Sequence, residues 1–177
     1  MLKSFSLILT SVALVAASTL HAEDKAAVPT DAQIAMIAVV ADTVDVNYGK
    51  LAVQKTSNQA VKAFAETMIR DHGAVNDQAT ALATKLGLTP VESAASKSLA
   101  ANGKKELARL SALSGVEFDR AYVNNEVSYH EAVIAMLDQT LIPNTQNAEL
   151  KALLETGRPI FAAHLEHAKM LQASLNK

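Results

Sequence analysis

The sequence contains no cysteine. Disulfides, thiolate nucleophiles and thiolate metal sites are excluded together, so any metal must be taken by His, Asp or Glu. An excess of positive charge is missing too. Sixteen Lys and Arg stand against 18 Asp and Glu, a formal net charge of −2, and nothing in that balance favours nucleic acid. After residue 19 no apolar run is long enough to span a bilayer, because Asp, Lys, Asn or His interrupts each helical stretch within two turns. The alternating pattern that builds a β-barrel is lacking, so any association with the envelope is expected to be peripheral. There is no Gly-rich phosphate loop, no nucleophile elbow and no His-Glu-x-x-His pattern. No reaction is legible, and the question of an enzyme stays open.

What is present begins with a targeting segment. Met1-Leu2-Lys3 leads into an uncharged, mostly apolar stretch over residues 4–19, and Leu20-His21-Ala22 precedes Glu23-Asp24. A basic start, a short apolar middle and a small residue at the break predict a signal peptide over residues 1–22. The mature chain is then expected in the periplasm, beginning with a flexible leader over residues 23–30. Residues 31–177 form one domain, large enough to bury a core without disulfides. Loss of Lys3 moves the formal charge to 15 − 18 = −3.

The domain reads as helix throughout. Asp31 is expected to cap a first helix lined by Ile34, Ile37, Ala41, Val44, Tyr48 and Leu51 and ending near Thr56. Ser57-Asn58 makes a short break. A second stripe runs Val61, Ala65, Met68, His72, Val75, Ala79, Leu82 and Leu86, and Gly87 ends it. Residues 92–113 form a shorter, irregular helix interrupted at Asn102-Gly103. Val123, Val127, His130, Ile134, Leu137 and Leu141 line a third long helix over residues 117–141, closed by Pro143. The last stripe is Leu150, Leu153, Gly157, Ile160, His164, His167 and Leu171, widened by Leu154, Phe161, Ala168 and Leu175, with a kink expected at Pro159. Two tight hairpins joined by a connection long enough to return along the molecule predict an all-α, ferritin-like antiparallel four-helix bundle with a short crossover helix.

Three histidines, His72, His130 and His164, occupy core positions of their stripes, and His167 sits on or beside the face of His164. Each of the three falls near mid-helix, His164 within about one turn, or about 5 Å, of the centre. Asp45 is the central polar residue of the first helix. Four helices therefore place one ionisable residue each at a similar height, with Asp71 beside His72 and Glu126 one turn before His130. Imidazole and carboxylate suit zinc, copper, iron or manganese, and bundles build such sites from inward residues on separate helices. The same residues also fit a buried polar network that fixes helix register and binds nothing.

Three motifs appear in order: Val61-Lys62-x-Phe64-Ala65-x-x-Met68-x-x-Asp71-His72, then Ser114-Gly115-x-x-Phe118-Asp119-x-x-Tyr122-Val123 leading to His130, and Pro159-x-x-x-x-His164-Leu165-x-x-Ala168. Together they resemble a family of exported bacterial proteins of unknown function, often described as predicted outer-membrane proteins and assigned a ferritin-like fold. The resemblance implies fold and export and supplies no reaction. By position, Asp71, His72, His130 and His164 match the family's recurrent polar residues, whereas Asp45 and Asn47 stand in a first-helix motif where Glu is usual. Di-iron bundles carry Glu-x-x-His pairs on two helices. This chain has Glu126-x-x-x-His130 and no Glu three residues before His72 or His164, which disfavours ferroxidase or oxygenase chemistry.

Overall fold

The computed structural model describes residues 28–176. The expected signal peptide, and the leader up to residue 27, lie outside the described residues. Helix α1 spans Asp31–Lys55 and α2 Gln59–Lys85. Helix α3 spans Ala94–Ser111 and α4 Gly115–Met136. A π-helical turn, Leu137–Leu141, and a last turn, α5 (Ile142–Asn144), prolong α4, and α6 covers Ala148–Leu175. No described helix is long and apolar enough to cross a membrane.

Local chemistry sets the ends. Thr30, not Asp31, caps α1. Its extended backbone lets the hydroxyl accept from the Gln33 N–H while the Gln33 side chain accepts from the Thr30 N–H at 3.0 Å, a reciprocal box that satisfies two orphan donors. Asp31 lies inside the first turn, and its carboxylate accepts instead from the backbone of Gln146 and Asn147 at 2.8 and 2.9 Å. That contact pins the α5–α6 turn beside the start of α1. Asn58 and Asn147 cap α2 and α6.

The direction of each helix follows from contacts at the two ends. Val91 N–H donates to Ala32 O at 3.0 Å, so the chain leaving α2 passes the start of α1. Lys55 Nζ donates to Ser111 O at 2.7 Å, so α3 finishes, and α4 starts, at the end of α1. Helices α2 and α4 therefore run parallel to each other, and α1 and α6 run opposite to both. This is the ferritin-like antiparallel four-helix bundle with one crossover, in which α3 lies against the outer side of α1.

Three expectations are corrected. Asn102-Gly103 does not interrupt α3. Gly103 is buried, and a Cβ there would stand 2.7 Å from Val44 Cγ2, so the glycine lets the crossover helix approach α1 closely. Pro143 does not close the helix at 141. The Ile142 N–H bonds back to Leu137 O, five residues earlier, so the extra residue is absorbed ahead of Pro143, which then sits early in a final turn where no donor is needed. On α6 the buried line is Leu150, Leu154, Gly157, Phe161, His164, Ala168 and Leu171. Ile160 and His167 fall at its exposed edge, and Pro159 lies inside the helix, as its position in the stripe requires.

The core has two apolar halves. One gathers Phe64, Met68, Phe118, Tyr122 and Val123 toward the end of α1, and the other gathers Ile34, Ile37, Leu137, Leu141 and Phe161 toward its start. Between them lies a buried layer of Asp42, Asp45, His72, Glu126, His130 and His164.

Candidate metal centre

Each long helix presents its polar residue to the same level for a local reason. On α2, α4 and α6 the histidine takes a position that helical spacing would otherwise give to an apolar core residue. On α1 the acids Asp42 and Asp45 are one turn apart and both are buried, because they lie on the side of the helix that α2 and α4 cover, against His72 and His130. The three imidazoles form a tight group. Ring centroids are 5.5 Å apart for His72 and His130, 5.1 Å for His72 and His164, and 5.6 Å for His130 and His164. One nitrogen of each lies within 4.8 Å of the other two. Phe161 packs edge-on to His72, with centroids 4.8 Å apart.

Hydrogen bonds on the outer side of each ring fix which nitrogen faces inward. His130 Nδ1 lies 2.9 Å from the Glu126 carbonyl, which can only accept, so Nδ1 carries the hydrogen and Nε2 is a bare lone pair. His72 Nδ1 donates to Asp42 at 2.8 Å, and His164 Nε2 donates to Asp71 at 3.0 Å. The inward atoms are therefore His72 Nε2, His130 Nε2 and His164 Nδ1. Asp45 Oδ2 joins them, 3.4 Å from His72 Nε2 and 3.6 Å from His130 Nε2.

Those inward separations are long for hydrogen bonds and short for unrelated groups. His72 Nε2 and His164 Nδ1 are 3.3 Å apart. With both outer nitrogens protonated, two neutral rings would point lone pairs at each other there. Something positive must stand between them, and either a proton on His72 or a metal ion serves. Two ligand atoms about 2.0–2.1 Å from a tetrahedral ion are separated by roughly 3.3–3.4 Å, close to the spacing observed.

The electrostatics follow from burial. Burial pushes the Asp45 carboxyl up to about 6 against the attraction of His72, and pushes Glu126 well above the usual carboxylate range, with Asp45 adding to it. Burial also works against a charge on His72, but Asp45, Asp42 and Asp71 together outweigh it, and its pKa is raised. His130, buried and beside His72, is pushed down to about 3. Burial and His72 lower His164 in spite of Asp71. In Asp71 the Arg70 guanidinium, with His164, holds the carboxyl below its ordinary value. Both oxygens of Asp45, both of Glu126, the Tyr122 hydroxyl and His130 Nε2 are buried without a hydrogen-bond partner among the described residues. Satisfied interiors rarely leave so many polar atoms together without one.

The candidate residues thus divide by role. His72, His130 and His164 form one group, and Asp45, beside His72 and His130, forms a second with Glu126 and His130. Glu126 stands behind His130, its Oε2 3.6 Å from Nδ1, and Asp71 is an outer partner. His167 is exposed, edge-on to Phe64 at 5.1 Å, and outside the group. Asp42 is missing from the sequence reading. Its signal was the Asp42-x-x-Asp45 spacing, hidden because Ala41 and Val44 already fill the helical stripe.

The profile of a domain of unknown function, DUF4142, matches residues 16–171. The chain belongs to the DUF4142 family. None of the curated proteins matches it. A crystal structure of a DUF305 fragment from Deinococcus radiodurans is similar in fold, with a TM-score of 0.69 and 15% identity over 85% of this chain and 97% of that one. At that identity the likeness concerns the bundle alone, and the site of this DUF4142 protein rests on its own residues.

Proposed function

We propose that this DUF4142 protein is an exported, periplasmic bundle that holds a divalent transition-metal ion through His72, His130 and His164, with Asp45 as the carboxylate beside them. One observation carries the reading. Three separate outer hydrogen bonds turn one nitrogen of each of three histidines toward the others, within 4.8 Å, the arrangement by which proteins orient metal-binding imidazoles. Three imidazoles with a carboxylate beside them would hold an ion with protein ligands alone, which suits a holding site. The cavity that touches the layer, about 40 Å³, has walls that are apolar apart from Asp42. Holding or sensing an ion therefore fits better than turnover. Imidazole-rich sets favour zinc or copper over manganese.

The test is metal analysis of untagged full-length protein together with thermal melts. At a hundred times the dissociation constant a bound ion adds about 2.7 kcal/mol, or a rise of roughly 5–11 °C for a chain of this size. His72→Ala and His130→Ala should remove both metal and shift. Absence of stoichiometric zinc, copper, iron or manganese, or equal shifts in the variants, overturns the reading. Export is tested by cell fractionation and by the N-terminus of the mature protein. The competing reading, a buried polar layer with a proton on His72, is favoured by that residue's raised pKa; it predicts no metal effect.

A further inference from the structure

The three histidines and Asp45 differ in how they meet solvent. Those of Asp45 and His130 are wholly buried and that of His72 is 1% exposed, whereas that of His164 is 7% exposed. The outer partners differ more. Asp42, behind His72, is 2% exposed, and Asp71, behind His164, is 27% exposed. From Asp71 a chain of short contacts leads outward and inward. Arg70 Nε donates to Asp71 Oδ1 at 2.7 Å, Asp71 Oδ2 accepts from His164 Nε2 at 3.0 Å, and His164 Nδ1 meets His72 Nε2 at 3.3 Å. Arg70 itself is 69% exposed.

The opposite seam is closed. Between α1 and α4, Tyr48 and Tyr129 pack edge to face with centroids 5.6 Å apart, and the Tyr129 hydroxyl donates to Ala41 O at 2.9 Å. Along the bundle axis Phe161 covers His72 and His130. The α2–α6 seam is where the polar chain reaches water.

We propose that Arg70, Asp71 and His164 form the gate by which a divalent metal ion reaches the buried centre, a reading that rests on the metal assignment above. Arg70 holds Asp71 closed. When it lets go, the carboxylate meets the hydrated cation at the surface. The His164 ring, joined to Asp71 through its outer nitrogen and to the centre through its inner one, is the ligand that moves to admit the ion. Asp42 makes the same bond to a ligand histidine but has no surface to offer. Asp71 therefore does two things and Asp42 one.

That difference is measurable. Stopped-flow absorbance with Co²⁺ as probe, on the full-length chain, reads association and dissociation separately. Arg70→Ala removes a repelling charge and the lock, and association should rise several-fold while affinity changes little. Asp71→Asn should slow association about tenfold by loss of the attracting charge. Asp42→Asn should weaken binding about 10–100-fold through faster dissociation, with association unchanged. Equal association rates in Asp71→Asn and Asp42→Asn, or no effect of Arg70→Ala on association, would overturn the gate while leaving the metal centre standing. Failure of the wild-type protein to take Co²⁺ would remove both. Arg70 is an exposed side chain, so its variant reads the gate even if Asp71→Asn folds poorly.

Discussion

Asp45→Asn separates a metal ligand from a structural carboxylate more sharply than any histidine variant. Asp45 is fully buried, makes no hydrogen bond among the described residues, and is pushed from 3.8 up to about 6, first by burial and against His72. A carboxyl whose folded pKa is raised gives up stability as pH climbs, because the unfolded chain releases its proton first. The loss starts near 3.8 and is complete above about 6. The shift is 6 − 3.8, about 2 units, which at about 1.4 kcal/mol per unit is roughly 3 kcal/mol at neutral pH. Asparagine has the same shape without the charge, and its amide can donate to His130 Nε2. In chelator-treated protein Asp45→Asn should match wild type near pH 4 and exceed it near pH 7 by as much as about 3 kcal/mol, or roughly 6–12 °C. The figure is a ceiling, since His72 loses a neighbour that keeps it protonated. Thermal melts at the two pH values, with a zinc titration alongside, complete the assay. A variant more stable without metal and unable to bind it marks a carboxylate kept for a ligand. If Asp45→Asn is destabilised near pH 7, the carboxylate is a structural partner and the metal reading is wrong.

Other perturbations test neighbouring parts of the argument. His167→Ala should leave metal affinity unchanged and lower stability by less than about 1 kcal/mol, because the ring lies outside the converging group; a lost metal signal would restore it to the ligand set. Gly103→Ala gains up to about 1 kcal/mol of helix propensity but drives a Cβ into Val44, and overpacking of this kind costs about 1–3 kcal/mol. The net change should be destabilising in thermal melts and smaller in the background of Val44→Ala. Metal-free wild type should lose stability as pH rises above about 6.5, since folding raises the pKa of both His72 and Glu126 and the unfolded chain gives up those protons first. A melting temperature rising over that range would contradict it.

The sequence made the bundle legible because long stripes at helical spacing and short connections leave few topologies open. One of its failures comes from the packing of α3. Gly103 looked like a break because its companion, Val44, lies almost 60 residues away in the chain, and only the α1–α3 contact shows why no side chain fits. Asp42 is interior for another reason: it lies on the side of α1 that faces α2, where its carboxylate meets His72 Nδ1 at 2.8 Å, although Ala41 and Val44 already occupy the expected stripe. His72, His130 and His164 were legible from period and height. His167 was misplaced because positions three and four residues after His164 compete for the core, and Ala168 takes it. The tautomers, which decide what the layer can bind, depend on a carbonyl and two carboxylates that no spacing announces.

The charges in the layer tie metal binding to proton release. Burial and Asp45 push Glu126 well above the carboxylate range, and Asp71 is matched by Arg70. Burial also raises Asp42, while, against burial, Asp45, Asp42 and Asp71 raise His72. A divalent ion takes the place of a proton that His72 holds between these carboxylates. His72 Nε2 must be bare to act as a ligand, so binding and proton release are one event. Calorimetric titration of zinc in buffers of different ionisation enthalpy should therefore report proton release on binding, with more protons released per ion near pH 5, where Asp45 is also protonated given its value of about 6, than near neutral pH. A proton count near zero at both pH values would mean that His72 keeps its charge, and the nitrogen facing His164 would then belong to a hydrogen bond and to no metal.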